Sequence, residues 1–231
     1  ALPAAAQTDR QPGEAGGLSL EAATDFPISI GLRATLELPM RLRIWSSLGV
    51  LPGPYLRAVN SAMVAAEVYD TTTASLIEAS LDRAVVWRTH AGWRPFSERG
   101  FYFGAGYGLV TLGGGLSSAE ALQLLLDSGV AVPQGARDAL GVLDLSARAT
   151  LHQLSAELGW EFAITESLLL RTGIGGVFTV ASSSRLAFDL PVAQDRFGAA
   201  LLRRGEAYLD DVFVRYVHTP VLTVGIGYSV F

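Results

Sequence analysis

The stretch Val221-Leu-Thr-Val-Gly-Ile-Gly-Tyr-Ser-Val-Phe231 alternates without a break. Leu222, Val224, Ile226, Tyr228 and Val230 fall on one face, and Thr223, Gly225, Gly227 and Ser229 on the other. A strand repeats every two residues, so one face of this segment is apolar and the other small or weakly polar. The outward face of a soluble sandwich strand carries charged or long polar groups, and neither face here would hold water well. Lipid on one side and a cramped interior on the other suit both faces.

The string Thr223-x-Gly225-x-x-Tyr228-x-Val230 with Phe231 behind it resembles the C-terminal strand signal of bacterial outer-membrane β-barrels. It departs from that pattern in one respect: Phe231 is one residue out of phase with the apolar face. The resemblance directly covers eleven of the 231 residues. It implies an all-β membrane barrel of the small, eight-stranded class, placed in the bacterial outer membrane.

Composition points the same way. Hydrophobic residues make up 50% of the chain and charged residues 17%, against roughly 25% charged in soluble domains. The mean hydropathy is +0.34. Yet no uninterrupted apolar run approaches the ~18 residues of a spanning helix. A membrane protein without such a helix must close its strands into a barrel, because open edges are not satisfied in hydrocarbon. A net charge of −5 gives no basic footprint for nucleic acid. Cysteine is absent, which excludes zinc–thiolate sites, disulfides and thiol catalysis. All 17 basic residues are Arg, a residue suited to fixed ion pairs in a confined space. The opening Ala-Leu-Pro-Ala-Ala-Ala-Gln has neither Met nor an apolar targeting core, and reads as a mature chain whose export signal has been removed.

In chain order, residues 1–16 read as a flexible periplasmic tail, and 17–231 as the barrel with its insertions. Leu18, Leu20 and Ala22 oppose Ser19, Glu21 and Ala23 in a first strand, which Thr24-Asp-Phe-Pro27 ends with turn chemistry. Ile28 to Leu38 sets an apolar face against Ser29, Gly31, Arg33, Thr35 and Glu37. A third strand, over 41–50, sets Arg41, Arg43, Trp45, Ser47 and Gly49 against Leu42, Ile44, Ser46, Leu48 and Val50. Residues 55–83 change to steps of three to five, which predicts two short helices broken near Asp70. Val85 to Arg94 then alternates, and so does 101–109, with Gly113-Gly-Gly115 closing that strand. Ser117-x-x-Glu120 is a capping box for a second helical pair reaching Leu145. Residues 154–164 and 168–180 form the sixth and seventh strands. Phe197, Leu201, Tyr208, Val212 and Tyr216 recur at helical spacing, although 208–217 is equally rich in strand-forming residues.

Parity favours the helix. Single-chain bacterial barrels have an even strand count, short periplasmic turns and long external loops. Eight strands put the short links at one end and the insertions 51–84, 114–146 and 187–219 at the other, outside the cell. The same topology gathers Trp93, Phe96, Phe101, Phe103, Trp160, Phe162, Tyr228 and Phe231 near the periplasmic ends, as a girdle where hydrocarbon meets head groups.

The inward positions hold Glu21, Arg33, Glu37, Arg41, Arg43, Arg88, His90, Arg94, Glu157, Glu161 and Arg171. Eight strands leave room only for packed side chains, and buried charges need partners. These residues therefore form either a structural plug or a narrow anion-selective path. No His or carboxylate spacing fits a metal. His152 and Ser155, the one local base–nucleophile pair, fall on opposite faces of a strand, so no enzyme is expected. No cofactor is expected either. The helical insertions carry apolar faces that need cover, from one another as a cap or from a partner. Leu56, Val59, Met63, Phe197, Leu201 and Tyr208 are the candidate contact surface for a second copy or another cell-surface protein. The expected role is an outer-membrane structural or interaction protein embedded in lipid. The alternative is a small pore or solute channel with an Arg-lined lumen.

Overall fold

Period-two segments pair in sequence order until the sheet meets itself. The computed structural model describes residues 17–71, 74–75, 77–78, 84–96, 100–116, 145–188 and 196–230. Eight antiparallel strands close a barrel in the order β1 to β8: β1 (Leu18–Phe26), β2 (Ser29–Glu37), β3 (Leu42–Val50), β4 (Val85–Trp93), β5 (Phe101–Leu116), β6 (Leu145–Ala163), β7 (Leu168–Phe188) and β8 (His218–Ser229). Closure is between β1 and β8, with Glu21 opposite Gly227 and Asp25 opposite Thr223. The first four strands are nine residues each, the length a tilted strand needs to cross a bilayer. At one end lie Gly17, Val230, the links 38–41 and 164–167, and residues 94–96 and 100. At the other lie the β1–β2 turn at Pro27–Ile28 and the long insertions.

The outward positions of β1 to β4 carry no charge: Leu18, Leu20, Ala22, Thr24 and Phe26, then Ile30 to Leu36, Leu42 to Val50, and Val85 to Trp93 on alternate residues. Leu32, Leu48, Leu158, Ile174, Leu222 and Ile226 are broadly exposed. Such a continuous apolar belt is untenable in water and natural in lipid. Several of its polar groups satisfy one another. Trp87 Nε1 donates to Ser46 Oγ at 3.1 Å, Ser46 and Thr89 hydroxyls bond at 3.0 Å, and Tyr107 Oη meets His152 Nδ1 at 2.5 Å. The protein is an eight-stranded membrane barrel.

Near the link end, Trp93 and Phe103 pack edge to face at 5.9 Å, Phe101 lies 5.1 Å from Trp160, and Phe96 lies 6.2 Å from Phe101. Phe162 and Tyr228 are exposed at the same end, beside Leu170 and Leu168 of β7. The girdle position Phe231 lies outside the described residues, as do the tail 1–16, residues 97–99 and the capping box at Ser117 and Glu120.

Three expected boundaries move. Asp25 is not a turn residue: β1 continues through it to Phe26, and the turn is Pro27–Ile28. Gly113 to Gly115 do not close a strand but lie within β5, opposite Arg148 to Ser146 of β6. The insertions after β5 and β7 are accordingly shorter than 114–146 and 187–219, because β6 starts at Leu145 and β7 runs to Phe188. The β6–β7 pairing shifts between His152 and Gln153, leaving Val180 unpaired as a bulge. Of residues 208–217, all but the last are helical, within α2 (Arg196–Tyr216).

The insertion after β3 opens with α1 (Gly53–Ala65), begun by Pro54 at its first turn. Beyond it residues 71, 74–75 and 77–78 are helical. Tyr55 of α1 reaches over the barrel rim, packing on Phe26 at 4.9 Å and bonding Thr24 Oγ1 at 3.0 Å. Leu56 turns the other way, into the mouth. There it joins Ile77, Val86, Val110, Leu112, Leu151, Val177, Leu209, Val212, Phe213 and Val221 in one apolar core. The helical faces are covered by the inner barrel wall.

Candidate functional site: the filled lumen

Inward positions change character along each strand. On β6 they run Ala149, Leu151, Gln153, Ser155, Glu157, Gly159 and Glu161, from apolar at the cap end to charged at the link end; on β4 they run Val86, Arg88, His90 and Gly92. Below the apolar mouth lies an ion-pair network in two groups.

The group nearer the cap centres on Asp25 and Glu157. Arg33 donates to Asp25 Oδ1 at 3.0 Å and to Glu157 Oε1 at 3.1 Å, and Arg88 pairs with Asp25. Thr223 Oγ1 adds a bond to Asp25 at 2.7 Å, and Tyr102 Oη donates to Glu157 Oε1 at 2.6 Å. The group nearer the links centres on Glu161, which accepts from Arg94 at 2.5 Å, Arg171 at 2.8 Å and Arg43 at 3.1 Å. Glu37 joins Arg94 at 2.9 Å and Arg43 at 3.2 Å, and Glu21 joins Arg171 at 2.7 Å.

Between the groups stand rings. Trp45 stacks on His90 at 4.9 Å and meets Tyr102 edge-on at 5.5 Å. The Arg43 guanidinium sits 4.3 Å above the Tyr102 ring, and that of Arg171 at 5.3 Å. Several N–H groups of these two arginines, Nε and Nη1, have no hydrogen-bond partner, and the ring faces supply part of the missing electrostatic contact. The glycine faces of the strands make room for the rings. A Cβ on Gly104 would stand 2.3 Å from Trp45, one on Gly106 2.5 Å from His90, and one on Gly159 2.2 Å from Tyr102.

Of the expected inward set, Glu21, Arg33, Glu37, Arg43, Arg88, Arg94, Glu157, Glu161 and Arg171 enter the network, and His90 lies inside it. Arg41 does not. Its residue falls in the Pro39–Arg41 turn with φ 64°, exposed, and its guanidinium donates to the Pro95 carbonyl at 3.0 Å. Asp25, Tyr102 and Trp45 complete the site. Period two carried two residues beyond Ala23 places Asp25 inside, and Tyr102 shares the glycine face of β5. With Arg41 out and Asp25 in, Arg33, Arg43, Arg88, Arg94 and Arg171 face five carboxylates, Glu21, Asp25, Glu37, Glu157 and Glu161. Among the described residues the lumen is charge-balanced rather than basic.

A base and a hydroxyl do meet in the lumen, though not the pair the sequence offered. Ser155 Oγ lies 2.7 Å from Nε2 of His90, not of His152. His90 Nδ1 has no partner, so no acid orients the ring. The adjoining cavity, about 10 Å³, admits no organic substrate. Among the described residues no group of His and carboxylates could hold a metal ion.

The expected contact residues are placed differently from expectation. Leu56 is buried in the mouth, and Val59 and Met63 line a cavity beneath α1, so all three face the barrel rather than a partner. A helix over an open mouth buries its apolar face there first. Tyr208 packs against the same core. The side chains of Phe197 and Leu201 lie outside the described set.

No family model and no curated protein matches the chain. Among solved structures, the N-terminal β-barrel domain of Pseudomonas aeruginosa OprF aligns over 93% of this chain and 98% of its own, at 9% identity and a TM-score of 0.41. Acinetobacter baumannii CarO aligns over 92% and 96%, at 11% identity and 0.39, and CarO2 from the same organism over 92% and 98%, also at 11% and 0.39. Likeness at this level has no bearing on activity, ligand or partner.

Proposed function

We propose that the protein is a bacterial outer-membrane barrel that anchors a helical cap at the cell surface and does not conduct solutes. The observation that carries this reading is the lumen. Five arginines and five carboxylates pair across it, rings fill the gaps, and an apolar core closes the mouth above. A path for anions needs surplus positive charge and continuous free volume, and neither is found in the lumen among the described residues. Short links at one end and long insertions at the other support a cap on the outside of the cell, as in single-chain bacterial barrels. In this reading the barrel has no catalytic role. The cap works through its outer surface, where α2 exposes Arg203, Arg204, Asp211 and Arg215 to a neighbouring copy or another cell-surface protein.

Planar-bilayer recording of the folded protein tests the reading. The expected result is a flat baseline. Stable unitary conductance that falls on Arg88→Ala would overturn it in favour of a pore.

A further inference from the structure

Histidines aside, the outward face of the eight strands carries a charged side chain at two described positions, Arg148 of β6 and Arg185 of β7. Both are exposed, and the β6–β7 ladder sets them directly opposite each other. Side chains so paired start about 5 Å apart, and like charges there repel. Neither forms an ion pair among the described residues.

Their height follows from the strand. Trp160, in the aromatic girdle at the link end, lies twelve residues from Arg148 on the same face of β6. At about 3.3 Å per residue and a tilt of about 35–45°, that is about 30 Å along the membrane normal. The apolar band of such barrels is about 25 Å tall, so the two guanidiniums stand at the level of the head groups on the cap side. Below them the outer face carries Leu154 and Phe178, both exposed, for acyl chains to lie against. Beside Arg148 the wall is bare: its partner on β5 is Gly113, where a Cβ would meet nothing within 4 Å. Thr111, Thr150 and Ser183 form the next row on the same face and offer hydroxyl donors.

We propose that Arg148 and Arg185 together hold the head group of a membrane lipid bearing a phosphate monoester, whose acyl chains lie on the apolar wall below. Guanidinium forks match phosphate oxygens two at a time. A phosphate monoester carries a charge of about −1.5 to −2 at neutral pH, which answers two guanidiniums, whereas a diester carries about −1. The bound phosphate turns a repulsive cross-strand pair into a bridged one. The site needs the lipid belt but is independent of whether the lumen conducts.

The test uses the whole folded chain in micelles holding equal amounts of phosphatidic acid, a monoester, and phosphatidylglycerol, a diester, with the same acyl chains. Native mass spectrometry counts the lipid retained. About fivefold more phosphatidic acid is expected, the worth of one added charge at about 4 Å beside water. The double variant Arg148→Gln, Arg185→Gln should retain the two lipids equally. Arg57→Gln with Arg203→Gln, which removes the same charge from the cap, should keep the preference. Inorganic phosphate equimolar with the lipid should not displace it. A second readout keeps the test open should the double variant fail to fold. Arg185→Gln should raise the denaturant midpoint in phosphatidylcholine vesicles, by relieving the repulsion, and lower it in vesicles containing phosphatidic acid. Equal retention by the unmodified chain, a preference that survives the double variant, displacement by inorganic phosphate, or midpoint shifts of one sign in both vesicles would each overturn the proposal.

Discussion

Asp25→Asn should be among the most damaging single substitutions in the lumen. Asp25 accepts from Arg33 Nη2 at 3.0 Å and Thr223 Oγ1 at 2.7 Å, and it is the carboxylate paired with Arg88. Arg33 would retain Glu157 at 3.1 Å. Arg88, 2% exposed at its side chain, would be left without a carboxylate partner among the described residues. Removing one partner of a buried pair costs about 3–5 kcal/mol, because the remaining charge stays desolvated and uncompensated. Asn preserves shape, so the loss reports charge rather than a cavity. Guanidinium titration of the barrel in lipid vesicles, followed by tryptophan fluorescence, measures it. Arg88→Met in the same background removes the stranded charge, so the double variant should be more stable than Asp25→Asn alone, a coupling that additive costs do not produce. A loss below about 1 kcal/mol, or strict additivity, would refute the view that the lumen is held by matched charge.

Two further outcomes follow from the walls of the barrel. Gly104→Val would place a Cβ 2.3 Å from Trp45 and 2.7 Å from the Ala91 carbonyl. Overpacking of this kind costs about 1–3 kcal/mol, and the near-ultraviolet signal of Trp45 should broaden with it. Leu32, 70% exposed on β2, faces acyl chains. Leu32→Arg should cost about 2–4 kcal/mol in vesicles, whereas a site in water would tolerate it within about 0.5 kcal/mol.

Much of the barrel could be read directly, because side-chain parity survives from residue to residue along a regular strand. Leu222 to Tyr228 and Val85 to Trp93 point as their alternation indicates. Parity fails where the backbone gains a residue. The Val180 bulge shifts the inward series from Val177 and Thr179 to Ser184 and Leu186, so β7 has no single phase for a sequence reading to follow. At Pro39–Arg41 the failure is of another kind. Arg41 keeps the parity of Arg43, but the chain is still turning there and its side chain leaves the lumen. Asp25 was hidden by chemistry: Asp before Phe-Pro looks like a turn, and only pairing with Thr223 of β8 shows that the strand goes on. The contacts of the cap were beyond local pattern. Leu56, Val59 and Met63 announce a face that needs covering, but helical spacing is silent on whether the cover is a partner or the mouth of the same barrel.

Fluorescence quenching by phospholipids with brominated acyl chains tests the central claim most directly, since the four tryptophans are divided by the wall. Trp87, Trp93 and Trp160 face outward and are 39–42% exposed, whereas Trp45 is 0% exposed inside. Variants retaining only one of the outward three should be strongly quenched, and a variant retaining Trp45 alone should keep its emission. Quenching of Trp45, with the other three protected, would mean that the wall is inverted or that no lipid surrounds it.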